Sequence, residues 1–417
     1  MNAGRILSAW TTAVVLSTTT AAAQPISYRG FIEGRATVFP QDAVNDTVNV
    51  VGDGLARLEV SATPAEWLRV AGGLDARANS HDQVEDSWRV DFADRGELRP
   101  RLSVRRLVAT LHRGPLTADL GKQFIRWGKA DIVTPTDRFA PRDFLNVIDA
   151  DFLAVRGARA VIEEGSHTFD VVWVPWFTPS RVPLLDQRWT PVPPGVTLVL
   201  EDTVFPDRSQ VGVRWGHTAG PLESSLSFYD GVNHLPTVEQ PDFSLALPPP
   251  SGPLVVPVNR LYQRMRMWGG DAAMPTRWFT VKGEAGFFTS PDKIADEYVL
   301  YVVQVERQTG EWLLIGGYVG EVVTEDRRGV TFAPDRGLAK TIVGRASYTI
   351  DVNRSMAIEG SVRQNGDGLY IKGEYSQARG QHWRATVSAA LIRGEPDDFL
   401  GQYRLNSNIG LALRYSF

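Results

Sequence analysis

Cysteine is absent from all 417 residues, which removes disulfides, thiolate metal sites and thiol nucleophiles. No stretch beyond the N-terminus is apolar for the ~18 residues that a membrane-crossing helix needs. The six histidines (His81, His112, His167, His217, His234 and His382) are dispersed. No His-Glu-x-x-His or other spaced ligand set forms, so no metal or cofactor is expected. The Gly-x-Ser-x-Gly elbow of a serine hydrolase is missing too. A strong charge of one sign is also lacking: the net charge of −4 is too small to suggest a nucleic-acid partner. These absences point away from an enzyme.

What is present begins with a secretory leader. Arg5 supplies a charged start, Ile6 to Leu16 a short apolar run, and Ala21-Ala22-Ala23 a small-residue cut site before Gln24. Residues 1–23 therefore read as a cleaved signal, and 24–417 as one domain outside the cytoplasm. Charged residues make up 22%. That average suits a soluble protein, but it also suits a membrane β-barrel, in which lipid-facing and lumen-facing residues alternate and cancel.

Pattern decides between them. From residue 26 onward, segments of about ten to thirteen residues alternate apolar and polar, near the length a tilted strand needs to cross a bilayer. In the last, Leu405, Ser407, Ile409, Leu411, Leu413, Tyr415 and Phe417 share one face, and Asn406, Asn408, Gly410, Ala412, Arg414 and Ser416 the other. Period two with one apolar face is a strand. About eighteen such segments follow in series with no helical period to build a second layer. The expected fold is all-β, a transmembrane antiparallel up-and-down barrel of about 18 strands. Strand 405–417, closing on Phe417, is similar to the C-terminal signal read by the outer-membrane barrel-assembly machinery. Frames near 101–112 and 296–323 are ambiguous, because the alternation slips or both faces are apolar.

The connections sort by length. Short ones lie at 63–66, 113–115, 164–166, 218–220, 275–277, 308–310, 351–354 and 379–381. Long ones lie at 40–52, 80–100, 128–153, 178–207, 231–258, 290–295, 324–337 and 394–404, with 365–368 short where a long one is due. In outer-membrane barrels the short set is periplasmic and the long set extracellular, and both termini would then be periplasmic. Trp67, Trp278, Trp312 and Trp383 follow short turns, while Trp215 and Tyr348 precede them, as in an interfacial aromatic girdle.

The polar face of these strands is the candidate lumen. It carries Arg29, Arg35, Arg57, Arg69, Arg77, Arg214, Arg260, Arg264, Arg266, Lys282, Arg345, Arg363, Lys372, Arg384 and Arg414 against Glu33, Glu59, Asp75, Glu223, Glu284, Glu359 and Glu374. Any single arginine reads more simply as a rung of an Arg–Glu ladder that stiffens the sheet. The excess summed over the face would concentrate anions.

One segment, Gly121 to Phe144, breaks the pattern. It starts as a strand and becomes a loop dense in Trp127, Lys129, Asp131, Asp137, Arg138, Arg142 and Asp143. Two readings stand: a stiff charged loop that enters the lumen as a constriction, or a loop packed on the rim by the same ion pairs. Gly121, Lys122, Gln123, Trp127, Gly128, Asp131, Pro135, Asp137, Pro141 and Asp143 form a Gly-Lys-Gln…Trp-Gly-Lys…Pro-x-Asp pattern. Over these residues the chain resembles porin-like outer-membrane barrel families of Gram-negative bacteria and, more distantly, alginate-export barrels. The resemblance implies an outer-membrane barrel with an inward-folded loop or plug.

The expected function is a passive channel for small polar or anionic solutes, monomeric or trimeric, embedded in outer-membrane lipid. A polysaccharide-export or polysaccharide-binding barrel is the alternative, and a barrel lipid hydrolase a more remote one.

Overall fold

The structure, a computed structural model, describes residues 26–201, 203–239, 254–293, 295–327 and 330–417. The leader expected at 1–23 lies outside the described residues. None of the described helices is long and apolar enough to cross a membrane; strands carry the architecture.

Eighteen strands form the wall. They are β1 (Ser27–Val38), β2 (Val50–Ala65), β3 (Leu68–Asn79), β4 (Leu102–Arg113), β5 (Leu116–Gln123) and β6 (Val155–Glu164). Next come β7 (His167–Val174), β8 (Gln210–Ala219), β9 (Leu222–Val232), β10 (Arg264–Pro275), β11 (Thr280–Thr289) and β12 (Glu297–Thr309). The last are β13 (Trp312–Glu325), β14 (Thr341–Asp351), β15 (Arg354–Arg363), β16 (Gly368–Arg379), β17 (Trp383–Gly394) and β18 (Asn408–Ser416). Each pairs antiparallel with the next, and β1 pairs with β18 from Phe31↔Ser416 to Val38↔Ile409. The sheet is closed and leaves no edge in the wall. β18 is shorter at its start than the alternation suggests, because Gly401–Asn406 forms a 3-10 turn before it.

Burial is inverted relative to a water-soluble protein. Leu226, Ile342 and Leu411 are 61%, 60% and 55% exposed, whereas Asp75 and Glu284 are each 3% exposed. An apolar belt of this size in water would be costly at roughly 25 cal/mol per Å². Lipid removes that cost, and the polar groups then face the interior. Exposed Trp67, Trp278, Trp312 and Trp383 sit at the short-turn rim, and Trp173, Trp176 and Trp268 toward the other rim. A ten-residue strand spans ~33 Å along its axis, or about 25 Å along the normal at ~40° tilt, which matches the separation of two interfacial belts.

The eight short turns fall where the sequence places them, all at one end. Five carry a glycine with φ of 56–64° (Gly114, Gly165, Gly220, Gly310 and Gly380), the left-handed conformation that tight hairpins favour. At the long-loop end the loops pair with one another: Val196–Leu200 runs parallel to Leu254–Val258, and Thr237–Glu239 bridges Leu261–Asn259 and Thr331–Val330.

Both ambiguous frames have physical causes. In β4 the register shifts, with Gly73 opposite Arg106 and Leu74 opposite Val104. Arg105 is the extra residue of a bulge, so alternation read through it slips by one. In β12 the inner residues Tyr298, Leu300 and Val302 are buried while Val303 and Val305 face outward. Its inner face is apolar because folded chain, not water, lies against it.

Candidate functional site: a divided lumen

Eighteen strands ~4.8 Å apart and tilted by ~40° make a ring roughly 35 Å across. Wall side chains cannot fill that width, so the interior is either open or occupied by loops. Here the chain leaves β5 at Gln123 and folds inward until β6 begins at Val155. Trp127, Val133 and Phe139 of this segment join the inner-face residues Tyr229, Met267, Phe288, Leu300 and Val302 in one buried cluster. Phe139 meets Trp127 and Tyr229 edge-on at 5.2 and 5.0 Å.

Carboxylates fix the segment in place. Buried Glu284 on β11 accepts hydrogen bonds from the backbone N–H of Lys129 (2.9 Å), Ala130 (3.1 Å) and Thr136 (2.8 Å), and from the Thr136 hydroxyl (2.8 Å). Asp137 accepts from the N–H of Trp127 and Gly128 at 2.5 and 2.7 Å and pairs with Arg126. The turn closes so tightly that a Cβ on Gly128 would lie 2.6 Å from the Thr134 Cβ. The Trp127 indole N–H donates to Asp170 at 2.9 Å, and Asp170 also holds Arg159. The Trp-Gly-Lys…Pro-x-Asp pattern is therefore a set of anchors for an inward fold.

The return limb crosses to the opposite wall. Asp149 lies 2.6 Å from the Lys372 ammonium on β16 and 3.4 Å from Arg35 on β1. Asp151 lies 3.1 Å from Arg105 and 3.8 Å from Arg57. Asp143 sits buried between Arg99 (2.8 Å) and Arg181 (3.4 Å). Burial alone would raise its pKa, but the two guanidinium charges hold the carboxyl far below the usual carboxylate range. Arg181 also reaches Asp94, which takes the fully buried Lys122 ammonium at 2.5 Å.

Among the described residues, the crossing leaves two cavities in the lumen, termed passages below. The first, a cavity of about 550 Å³ against β1–β3, β14–β16 and β18, is lined by eight Arg or Lys and seven Asp or Glu. The second, of about 600 Å³, lies against β13–β17 and has Leu313, Ile315, Val343, Phe399 and Tyr403 among its walls. Ile148, Ala150, Arg345 and Glu359 border both.

The residues singled out from the sequence fall into distinct places. Arg35, Arg57, Arg77, Arg345, Lys372 and Arg414 line the first passage. Arg29 pairs with Glu59 at the short-turn mouth, and Arg363 pairs with Asp398 at the long-loop end. Arg214 faces inward onto Asp271 (2.9 Å), and Lys282 onto Asp131 and Glu306 (both 2.8 Å). Arg69 is an inner-face residue paired with Thr110 in register, and Arg384 donates to the Ser376 hydroxyl at 3.4 Å. Of the loop residues, Trp127 and Asp137 are buried anchors. Lys129 pairs with Glu223, and Arg138 lies 3.8 Å from Asp335. Arg142 stacks over the Phe152 ring at 4.6 Å.

Three placements correct the sequence reading. Arg264 and Arg266 face outward, paired with Asp292 and Asp230, because Met265 and Met267 take the inner face of β10 and Trp268 the outer. The usual sense of alternation inverts here, since the inner face packs on the folded-in chain. Arg260 is not in the wall: it belongs to the loop strand Leu254–Leu261 and lies 3.5 Å from Glu97. The sequence also missed Asp53, Asp149 and Asp151 as lumen carboxylates. The last two lie in a long connection, and a long connection gives no local sign that it turns inward. Their presence brings the cation excess in the first passage down to eight against seven.

Neither a protein-family model nor a curated protein sequence matches the chain. Among solved structures, it is similar to OccAB4 of Acinetobacter baumannii, with a TM-score of 0.53 at 9% identity over 95% of this chain and 99% of that one. It is also similar to the outer membrane protein opdK of Pseudomonas aeruginosa, with a TM-score of 0.51 at 9% identity over 94% of this chain and 98% of that one. At this identity the likeness is one of fold.

Proposed function

We propose that this protein is an outer-membrane channel through which small polar solutes diffuse passively, with a modest preference for anions. The observation that carries the reading is the charged passage, a continuous cavity lined by Arg, Lys, Asp and Glu alongside a segment pinned across the lumen. Many of these charges pair with one another, yet a cavity of about 550 Å³ stays open between them; water and ions are stabilised on such a wall, whereas a purely structural barrel would fill the space. One cation in excess among fifteen charged lining residues supports a weak anion preference. The short turns and both termini would be periplasmic, the paired long loops extracellular, and the closing strand Asn408–Ser416 with Phe417 the element read during assembly.

The test is single-channel recording of the refolded protein in a planar bilayer under a KCl gradient. Stepwise conductance is expected, with a reversal potential displaced slightly toward that of chloride. Silence from protein shown to be folded by its heat-modifiable gel mobility would overturn the reading and favour a closed barrel or a gated exporter.

A further inference from the structure

The second passage does not suit a simple aqueous pore. Its wall strands turn Leu313, Ile315 and Val343 inward, and the folded-in chain faces them with Ile132, Val147 and Ile148. Two apolar surfaces stand apart across about 600 Å³. They do not collapse onto each other, because Glu284, Asp131 and Asp149 pin the segment between them to the wall. Apolar surface held open toward water is unfavourable by roughly 25 cal/mol per Å², and an apolar occupant removes that cost.

The charges on this passage are unequal in status. Asp131 is satisfied by Lys282 (2.8 Å), Glu359 by Arg345 (3.6 Å), and Asp335 lies 3.8 Å from Arg138. Arg142 differs. Its guanidinium donates to the Thr134 hydroxyl at 3.3 Å and stacks on Phe152, with no carboxylate within 4.0 Å among the described residues. A fork of N–H donors at the edge of an apolar trough matches one carboxylate on an aliphatic body.

Building on the channel reading, we propose that the second passage is a binding track for amphiphilic monocarboxylates, with Arg142 holding the carboxylate and the Leu313/Ile315/Val343 wall covering the alkyl portion. A volume of about 600 Å³ is in the range that accommodates small ligands, and octanoate fits within it. A hydrophilic monoanion of equal charge gains nothing from the apolar walls, so the track separates solutes by body, not by charge.

The experiment measures binding independently of conduction. Labelled octanoate and labelled gluconate are each equilibrated by dialysis against the full chain held in amphipol, and the same protein is recorded in bilayers. Octanoate should bind at least tenfold more tightly than gluconate. Arg142→Gln should weaken octanoate by about tenfold to a hundredfold, the loss expected for one charge-assisted hydrogen-bonding group. Ile315→Asn should weaken it severalfold, with Ile315→Thr as the substitute if the first variant does not fold. Equal, weak binding of the two anions, or octanoate binding unchanged by Arg142→Gln, overturns the proposal. Conductance without octanoate preference would defeat this inference alone. Octanoate binding in a silent protein would defeat the channel reading and leave this one standing.

Discussion

Glu284→Ala should free the folded-in segment while leaving the barrel wall closed. The substitution removes the acceptor for three backbone N–H groups and one hydroxyl, at 2.8–3.1 Å. Hydrogen bonds to a charged group contribute about 1.5–3 kcal/mol each, so four set an upper bound of about 6–12 kcal/mol. Lumen water recovers part of this once the segment moves, and such terms are not additive. If half survives, the segment loses about 3–6 kcal/mol of closure, and every 1.4 kcal/mol multiplies its opening equilibrium tenfold. Opening should then rise by at least about a hundredfold. The wall is spared because the β11 backbone bonds to β10 and β12 do not involve this side chain.

The absence of cysteine makes the assay direct. Val133 is fully buried at the centre of the segment, and Val133→Cys is a near volume-conserving replacement. A membrane-impermeant thiol reagent should label Cys at 133 about a hundredfold faster in the Glu284→Ala background, and bilayer recordings should show higher conductance with added current noise. Glu284→Gln keeps one acceptor oxygen and should fall between. Unchanged labelling in folded Glu284→Ala protein would refute the argument and assign the anchoring to the apolar cluster around Trp127 and Phe139.

Asp149→Asn removes the carboxylate that holds Lys372 and Arg35, so the reversal potential under a KCl gradient should move further toward that of chloride. Asp143→Asn leaves Arg99 and Arg181 buried without their shared carboxylate. Breaking such a pair costs about 3–5 kcal/mol, which should appear as faster proteolysis of the long loops. The Asp143 pKa is depressed in the fold, so its contribution is present above the unfolded value and lost only as pH falls below about 4; loop protection should be flat from pH 7 to 5 as far as this group is concerned. His234 behaves differently. It is stacked on Phe177 (5.5 Å) and bonded through Nδ1 to the Thr178 carbonyl (2.6 Å), and burial pushes its pKa down to about 4. Its neutral form is required, so stability is full above the unfolded value near 6.5 and declines as pH falls toward 4, by about 3 kcal/mol in total. The protection factor of the Ser180 amide, which donates to the His234 carbonyl at 2.9 Å, should fall over that window. A His234→Phe variant that kept the same pH dependence would assign it elsewhere.

The barrel was legible in the sequence because its determinants are local. Period-two alternation, as at Ile409, Leu411 and Leu413 of β18, and glycine-bearing turns such as Arg113–Pro115 act over two to a dozen residues. Each states its own structure without reference to the rest. Strand number, closure and the sorting of loops followed from those signals alone. The interior was not legible to the same degree. Alternation assumes a wet lumen, and where chain folds inward the inner face becomes apolar, which inverted the reading at Arg264 and Arg266 and blurred β12. The contacts that divide the lumen join residues far apart in sequence, as with Thr136 to Glu284 and Asp149 to Lys372. No local pattern encodes such pairs. Only closure of the sheet brings them within hydrogen-bonding distance, so the tertiary structure alone decided that the described residues leave two cavities in the lumen, one charged and nearly balanced, the other with a largely apolar wall.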